Sequence, residues 1–100
     1  MQITVYQMKL EHPCKFRGYD ELVKAQGGLP LIDRAIYDEV YSGEVKCTDL
    51  AQVYAVLNDA KPDGYKGHSL SVSDIVKTPD GLFFCDRYGW QKIEFTVLLD

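Results

Sequence analysis

Tyr65-Lys66-Gly67-His68-Ser69-Leu70-Ser71-Val72-Ser73-Asp74-Ile75-Val76-Lys77-Thr78, then Pro79-Asp80-Gly81, then Leu82-Phe83-Phe84-Cys85-Asp86-Arg87-Tyr88-Gly89-Trp90-Gln91-Lys92-Ile93-Glu94-Phe95 is the stretch that decides the fold. It reads as an antiparallel β-meander. Residues 69–77 form the first strand of this reading. Pro79 presets the first turn position, Asp80 favours the next, and Gly81 tolerates the left-handed backbone that a bulged hairpin needs. Residues 82–86 return antiparallel, 87–89 turn again, and 90–97 form the last strand, with Ile93, Phe95 and Val97 on its inner face.

Working outward, the clearest helix precedes the meander. Thr48 is the predicted N-cap, and Asp49 suits the positive end of the helix dipole. Leu50, Val53, Tyr54 and Leu57 fall at i, i+3, i+4 and i+7, one apolar stripe that must dock on a sheet. Residues 37–45 suit a strand, with a bulge or bend at Gly43. Residues 18–26 suit a short helix capped by Asp20 and stopped by Gly27-Gly28. Residues 29–35 fit either a helix start at Pro30 or a loop with apolar anchors. At the front of the chain, residues 2–9 alternate, with Ile3, Val5 and Gln7 on one face and Thr4, Tyr6 and Met8 on the other. The pattern predicts an α+β domain over residues 1–100. It is a two-layer design, a mainly antiparallel sheet of four to five strands packed against one main helix and one short helix.

Composition narrows the function classes. Among 100 residues, 46% are apolar and 26% charged, and seven Tyr, four Phe and one Trp supply enough burial for a folded core. Net charge is −4, split as −2 in each half, so the basic face of a nucleic-acid binder is absent. The longest acidic clusters are the pairs Asp20-Glu21 and Asp38-Glu39, too sparse for a DNA mimic. No apolar run reaches the roughly 18 residues that cross a bilayer. The opening Met1-Gln2-Ile3-Thr4-Val5-Tyr6 lacks the basic flank and apolar stretch of a secretory signal. Cys14, Cys47 and Cys85 are odd in number and far apart, which fits free, buried thiols in a reducing compartment. These features lead us to expect a cytoplasmic protein.

A family is visible in the carboxy-terminal half. Thr48-Asp49-Leu50, Val53-Tyr54 and Leu57-Asn58 are followed by Pro62 and Tyr65, then by the string from Gly67 to Val76, then by Phe84-Cys85-Asp86-Arg87-Tyr88-Gly89-Trp90. Tyr6-Gln7, Glu11-His12-Pro13 and Phe16-Arg17-Gly18 extend the match to the front. These segments resemble the YodL-like domain, a module of Gram-positive bacterial mobile-element proteins, found alone or inside large polypeptides. The second string departs from the family's Tyr-Cys-Asp-Ser-Phe-Gly-Phe type at Arg87-Tyr88 and Trp90, which alters any surface formed there. The resemblance implies a mobile-element setting and specifies no activity.

Groups able to carry chemistry are few. Cys85-Asp86 with His68 is the best nucleophile-and-base combination. The competing reading has Cys85 facing the core and Asp86 capping a turn. Ser69, Ser71 and Ser73 lack a Gly-x-Ser-x-Gly elbow. His12, Cys14, Cys47, His68 and Cys85 include only one pair at close metal-ligand spacing, His12-Pro13-Cys14. His68 suits a strand entrance, where it satisfies loose backbone groups. Asp74, interrupting an apolar strand, suits either backbone N–H groups at a bulge or an ion pair with Arg87. Arg87-Tyr88-Gly89-Trp90 gathers three residue types enriched in binding hot spots, although Trp90 suits the core equally well.

The expectation is a small non-catalytic protein-interaction module with no cofactor and no metal. Its partner-binding residues are His68, Ser69, Asp74, Asp86, Arg87, Tyr88 and Trp90. The partner is a protein of the host or of the mobile element, with neither nucleic acid nor membrane contacted directly. The sharper alternative is an inhibitor of a host defence nuclease, anti-CRISPR or anti-restriction. A Cys/His-dependent enzyme ranks third.

Overall fold

A computed structural model describes residues 1–96. In chain order the elements are β1 (Gln2–Met8), α1 (Tyr19–Ala25), β2 (Ile32–Asp33), a 3-10 turn (Arg34–Ile36), β3 (Tyr37–Glu44), α2 (Leu50–Asp59), β4 (Ile75–Thr78), β5 (Gly81–Cys85), β6 (Trp90–Ile93) and β7 (Phe95–Thr96). Five strands form one antiparallel sheet in the order β3-β1-β4-β5-β6. The α+β class follows as the pattern predicts.

Strand alternation sends side chains to both faces, and both faces are covered. Tyr6, Met8, Ile75 and Phe84 build one core with Leu22 of α1. Ile3, Val5 and Val76 build the other with Val53 and Leu57 of α2. The helices thus stand against opposite faces, which makes three layers where the sequence pattern predicts two, and β1 and β4 contribute to both cores. Val53 and Leu57 are fully buried, each stabilising the fold by about 1.5–3 kcal/mol. Tyr54, placed on the same predicted stripe, stays 42% exposed.

Several local expectations are corrected. The cap of α2 is Asp49 rather than Thr48: Asp49 accepts from the Gln52 amide at 2.8 Å, and Gln52 Oε1 accepts in turn from the Thr48 amide at 2.8 Å. The bulge in β3 sits at Val40, because Val5 pairs with Tyr41 while Tyr6 pairs with Glu39. Gly43 is instead a regular pair of Ile3, and its missing Cβ makes room for the Tyr41 side chain, whose hydroxyl a methyl there would overlap. Within residues 29–35, residues 29–31 are loop, as one of the two readings has it, and 32–35 form β2 and the start of the 3-10 turn, with Asp33 accepting from the Ala35 amide. The last strand breaks at Glu94, so that β7 pairs parallel with β2. Ile93 and Phe95 do face the core, and Val97 lies outside the described residues.

The largest correction concerns residues 69–77, of which only 75–77 belong to a strand, the first three residues of β4. Asp74 accepts from the Ser71 amide, and the Ser71 hydroxyl donates to the Ser69 carbonyl. These short-range side-chain bonds outcompete extension and curl the segment.

Candidate functional site

The strand registers bring the motif segments to one end of the sheet. Met8 pairs with Tyr37, Tyr6 with Ile75, and Cys85 with Trp90. The connections spanning 9–18, 65–74 and 86–89 therefore emerge side by side. They divide into two clusters.

The first cluster is a knot around Asp74, which is fully buried. Its Oδ2 accepts from the Ser71 amide at 2.8 Å and from Gln7 Nε2 at 3.1 Å. Its Oδ1 has no hydrogen-bond partner among the described residues. Its backbone closes the sheet, because the Cys85 amide donates to the Asp74 carbonyl at 2.7 Å. Burial pushes the Asp74 carboxyl up to about 7, against the lowering effect of its bonds to Ser71 and Gln7 and of Lys15 nearby. The sequence-based choice between backbone donors and Arg87 is thereby decided in favour of backbone donors.

Gln7 is the hub that joins this knot to the adjacent loop. Its Nε2 also donates to the His68 carbonyl at 2.9 Å, and its Oε1 accepts from the His68 amide at 3.1 Å. Gly67 is required beside it, since a Cβ there would collide with the Gln7 amide group. Tyr65 adds a hydroxyl bond to the His68 carbonyl at 2.8 Å. The bulge at Val40 leaves its carbonyl free to accept from the Lys66 amide. His68 Nδ1 lies 2.7 Å from the Ser69 carbonyl, so Nδ1 carries the proton and donates it. The ring packs against Phe16 at 5.2 Å and stands 4.0 Å from Asp74. Ser69 is exposed and accepts from Lys61.

The second cluster sits at the start of α1. Asp86 Oδ1 accepts from the Tyr19 amide at 3.2 Å and from the Arg87 amide at 2.9 Å. Asp86 therefore serves the first turn of α1, in place of the predicted Asp20 cap. Gly18 is the N-cap residue by position, with no side chain to contribute. Arg87 pairs with Glu21, which also takes Arg17 at 3.3 Å. Bonding to Arg87, assisted by Arg17, holds the Glu21 carboxyl below its ordinary range. Tyr88 projects into solvent at 98% exposure. Trp90 leaves this group and packs, half-buried, against the α2-side core.

His68, Cys85 and Asp86 do not form a triad, and no hydrogen bond joins any two of these side chains among the described residues. Cys85 is 5% exposed, and burial pushes its thiol up to about 11, with Asp74 and Asp86 adding to the effect. Cys14 and Cys47 are buried free thiols as well. Among the described residues, no group of three His, Cys, Asp or Glu side chains is placed to hold a metal ion. No helix among them is long and apolar enough to cross a membrane.

Sequence reasoning missed Gln7, Phe16 and Ser73 as partners of the motif. Gln7 did carry a signal, as the polar member of the Ile3, Val5, Gln7 face. Phe16 and Ser73 lie in the segments that resemble the family, but their roles depend on backbone conformation, which residue type does not show.

The arrangement defines an α+β domain whose motif loops are locked together by buried polar groups at one sheet end. A family model for the YodL-like domain matches residues 2–95, and the chain belongs to that family. No curated protein and no solved structure matches it.

Proposed function

We propose that this chain is a non-catalytic protein-interaction module of mobile-element origin, acting in the cytoplasm. It docks a host or element-encoded protein through the loops around residues 65–74 and 86–92. The observation that carries this reading is the division of labour in the motif. Asp74, Ser73 and Asp86 are spent on holding backbone, while Tyr88 stands fully exposed beside the Arg87–Glu21 pair. An exposed tyrosine next to an arginine on a braced turn suits a binding hot spot. A protonated, buried Cys85 suits a core residue better than a nucleophile.

The test is affinity capture from host lysate with the wild-type chain and with Tyr88→Ala, the retained proteins being identified by mass spectrometry. The reading requires a protein held by the wild type and lost by a Tyr88→Ala chain of unchanged circular dichroism. A defence nuclease in that position identifies the module as an anti-CRISPR or anti-restriction inhibitor. Identical captures by both chains, or none by either, overturn the reading.

A further inference from the structure

A groove of about 240 Å³ lies beside the Asp74 knot, bounded by the end of β1, the bulged part of β3 and the 65–68 loop. Its charged lining consists of Lys15, Lys66 and Asp38, and His68 lines it as well. Asp38 is already neutralised, because Lys9 Nζ donates to it at 2.8 Å. Among the described residues, neither Lys15 nor Lys66 pairs with a carboxylate. Lys15 is nonetheless fixed in place: its ammonium donates to the Met8 carbonyl and lies 5.1 Å from the centre of the Phe16 ring. A chain of net charge −4 thus presents a pocket with unspent positive charge.

The apolar surroundings are equally specific. Leu10, in the lining, is 85% exposed, and Phe16, packed on His68, is 52% exposed. Two large hydrophobic side chains in solvent beside unneutralised lysines suit a ligand that is itself part acidic and part aliphatic. The groove is also rigid where the ligand would sit. The amide and carbonyl of His68 are both bonded to Gln7, a lining residue that is 3% exposed. Such preorganisation lowers the ordering cost of binding.

We infer that this groove receives an acidic segment of the protein partner. One carboxylate lies between Lys15 and Lys66, and an adjacent aliphatic side chain rests on Leu10 and Phe16. The assignment rests on the interaction reading above and adds the chemistry of the partner. Charge opposition with the rest of this acidic surface fixes the orientation in which an acidic partner can approach.

The experiment titrates the isotope-labelled full chain with three probes and follows its backbone amide resonances. The probes are the acetylated tripeptide Leu-Glu-Leu, its Leu-Gln-Leu counterpart and inorganic phosphate. The Glu peptide should move the amides of Lys15, Phe16 and residues 66–69 at a concentration lower than the Gln peptide by about threefold or more. Lys66→Glu, at an exposed position, should raise that concentration by about fivefold while leaving the rest of the spectrum in place. Equal responses to the two peptides overturn the assignment, as do shifts centred on the Arg17, Glu21 and Arg87 cluster or no shifts at all. Phosphate acting as strongly as the Glu peptide makes the groove a general anion site and overturns it too. If Tyr88→Ala abolishes partner capture while the groove ignores the Glu peptide, the interaction reading stands and the groove assignment falls. If the groove binds the peptide but capture is insensitive to Tyr88, the groove stands as an acidic-peptide site and docking through Tyr88 falls.

Discussion

The Phe16 amide donates to Ser73 Oγ at 2.9 Å, and the two residues so joined both hold positive φ, +69° and +83°. Each such backbone costs on the order of 1–3 kcal/mol, so surrounding bonds must hold it. They do: the Tyr37 hydroxyl donates to the Ser73 carbonyl at 2.7 Å, and the Ser73 amide donates to the Cys85 carbonyl at 2.9 Å. Ser73→Ala removes the Phe16 bond and keeps the strain, and should cost about 1–2 kcal/mol. Ser73→Gly removes both and should be the more stable variant. Thermal melts decide it, since each kcal/mol moves the Tm of a chain this size by about 4–8 °C. An Ala variant as stable as the Gly variant contradicts the account.

Asp86 and Tyr19 are 67 positions apart, yet the carboxylate serves the helix start. Asp86→Ala should cost about 1 kcal/mol, the usual loss for a helix cap. Asp20→Ala, at the cap position expected from sequence, should be close to neutral because Asp20 is exposed and α1 begins without it. Chemical denaturation of the two variants side by side checks the assignment.

The contrast between Asp20 and Asp86 separates what is legible in the sequence from what is not. The stripe containing Val53 and Leu57 and the Pro79-Asp80 turn are readable because their causes lie within a few residues. The cap by Asp86 and the Gln7 bonds to His68, 61 positions away, depend on strand order, which the one-dimensional pattern does not carry. Residues 69–74 mislead for another reason. Their alternation of Ser with Leu and Val reads as a strand, but the Asp74 and Ser71 side chains bond locally and bend the chain. Of the predicted site residues, His68, Ser69 and Asp74 do gather, as do Asp86, Arg87 and Tyr88. Trp90 goes to the core because it pairs with Cys85 and its side is covered by α2.

Gly67→Ala should be disruptive although Gly67 needs no unusual φ. The added methyl would collide with the Gln7 amide group and lie 3.0 Å from Val40. Overpacking of this kind costs about 1–3 kcal/mol. Because the main clash is with one side chain, Gln7→Ala should absorb part of it, and the double variant should lose less than the sum of the singles. Strict additivity in denaturation midpoints contradicts the contact.

Stability should also carry the imprint of Asp74. Its ordinary value is 3.8 and burial pushes it up to about 7, so between these values the folded chain keeps a proton that the unfolded chain has lost. This contribution to stability is complete below about pH 4, falls as the pH rises to about 7, and is constant above. Asp74→Asn retains an oxygen for Ser71 and Gln7 and removes the titration. The difference between wild-type and Asp74→Asn urea midpoints should therefore change steadily across about pH 4–7 and flatten beyond it. A difference independent of pH means that Asp74 is ionised throughout.

The three thiols distinguish an architectural motif from a reactive one. Cys14, Cys47 and Cys85 are 7%, 6% and 5% exposed, and burial raises the Cys85 pKa to about 11, which leaves little thiolate at neutral pH. A thiol-specific disulfide reagent near neutral pH should label the folded chain slowly and all three cysteines at once when denaturant is added. Cys85→Ala should accordingly lower the melting temperature by removing buried volume, and His68→Ala should do so by loosening the 65–71 loop. Rapid labelling of Cys85 alone in the native state, slowed by His68→Ala at unchanged stability, is the behaviour of an activated nucleophile and contradicts a non-catalytic module.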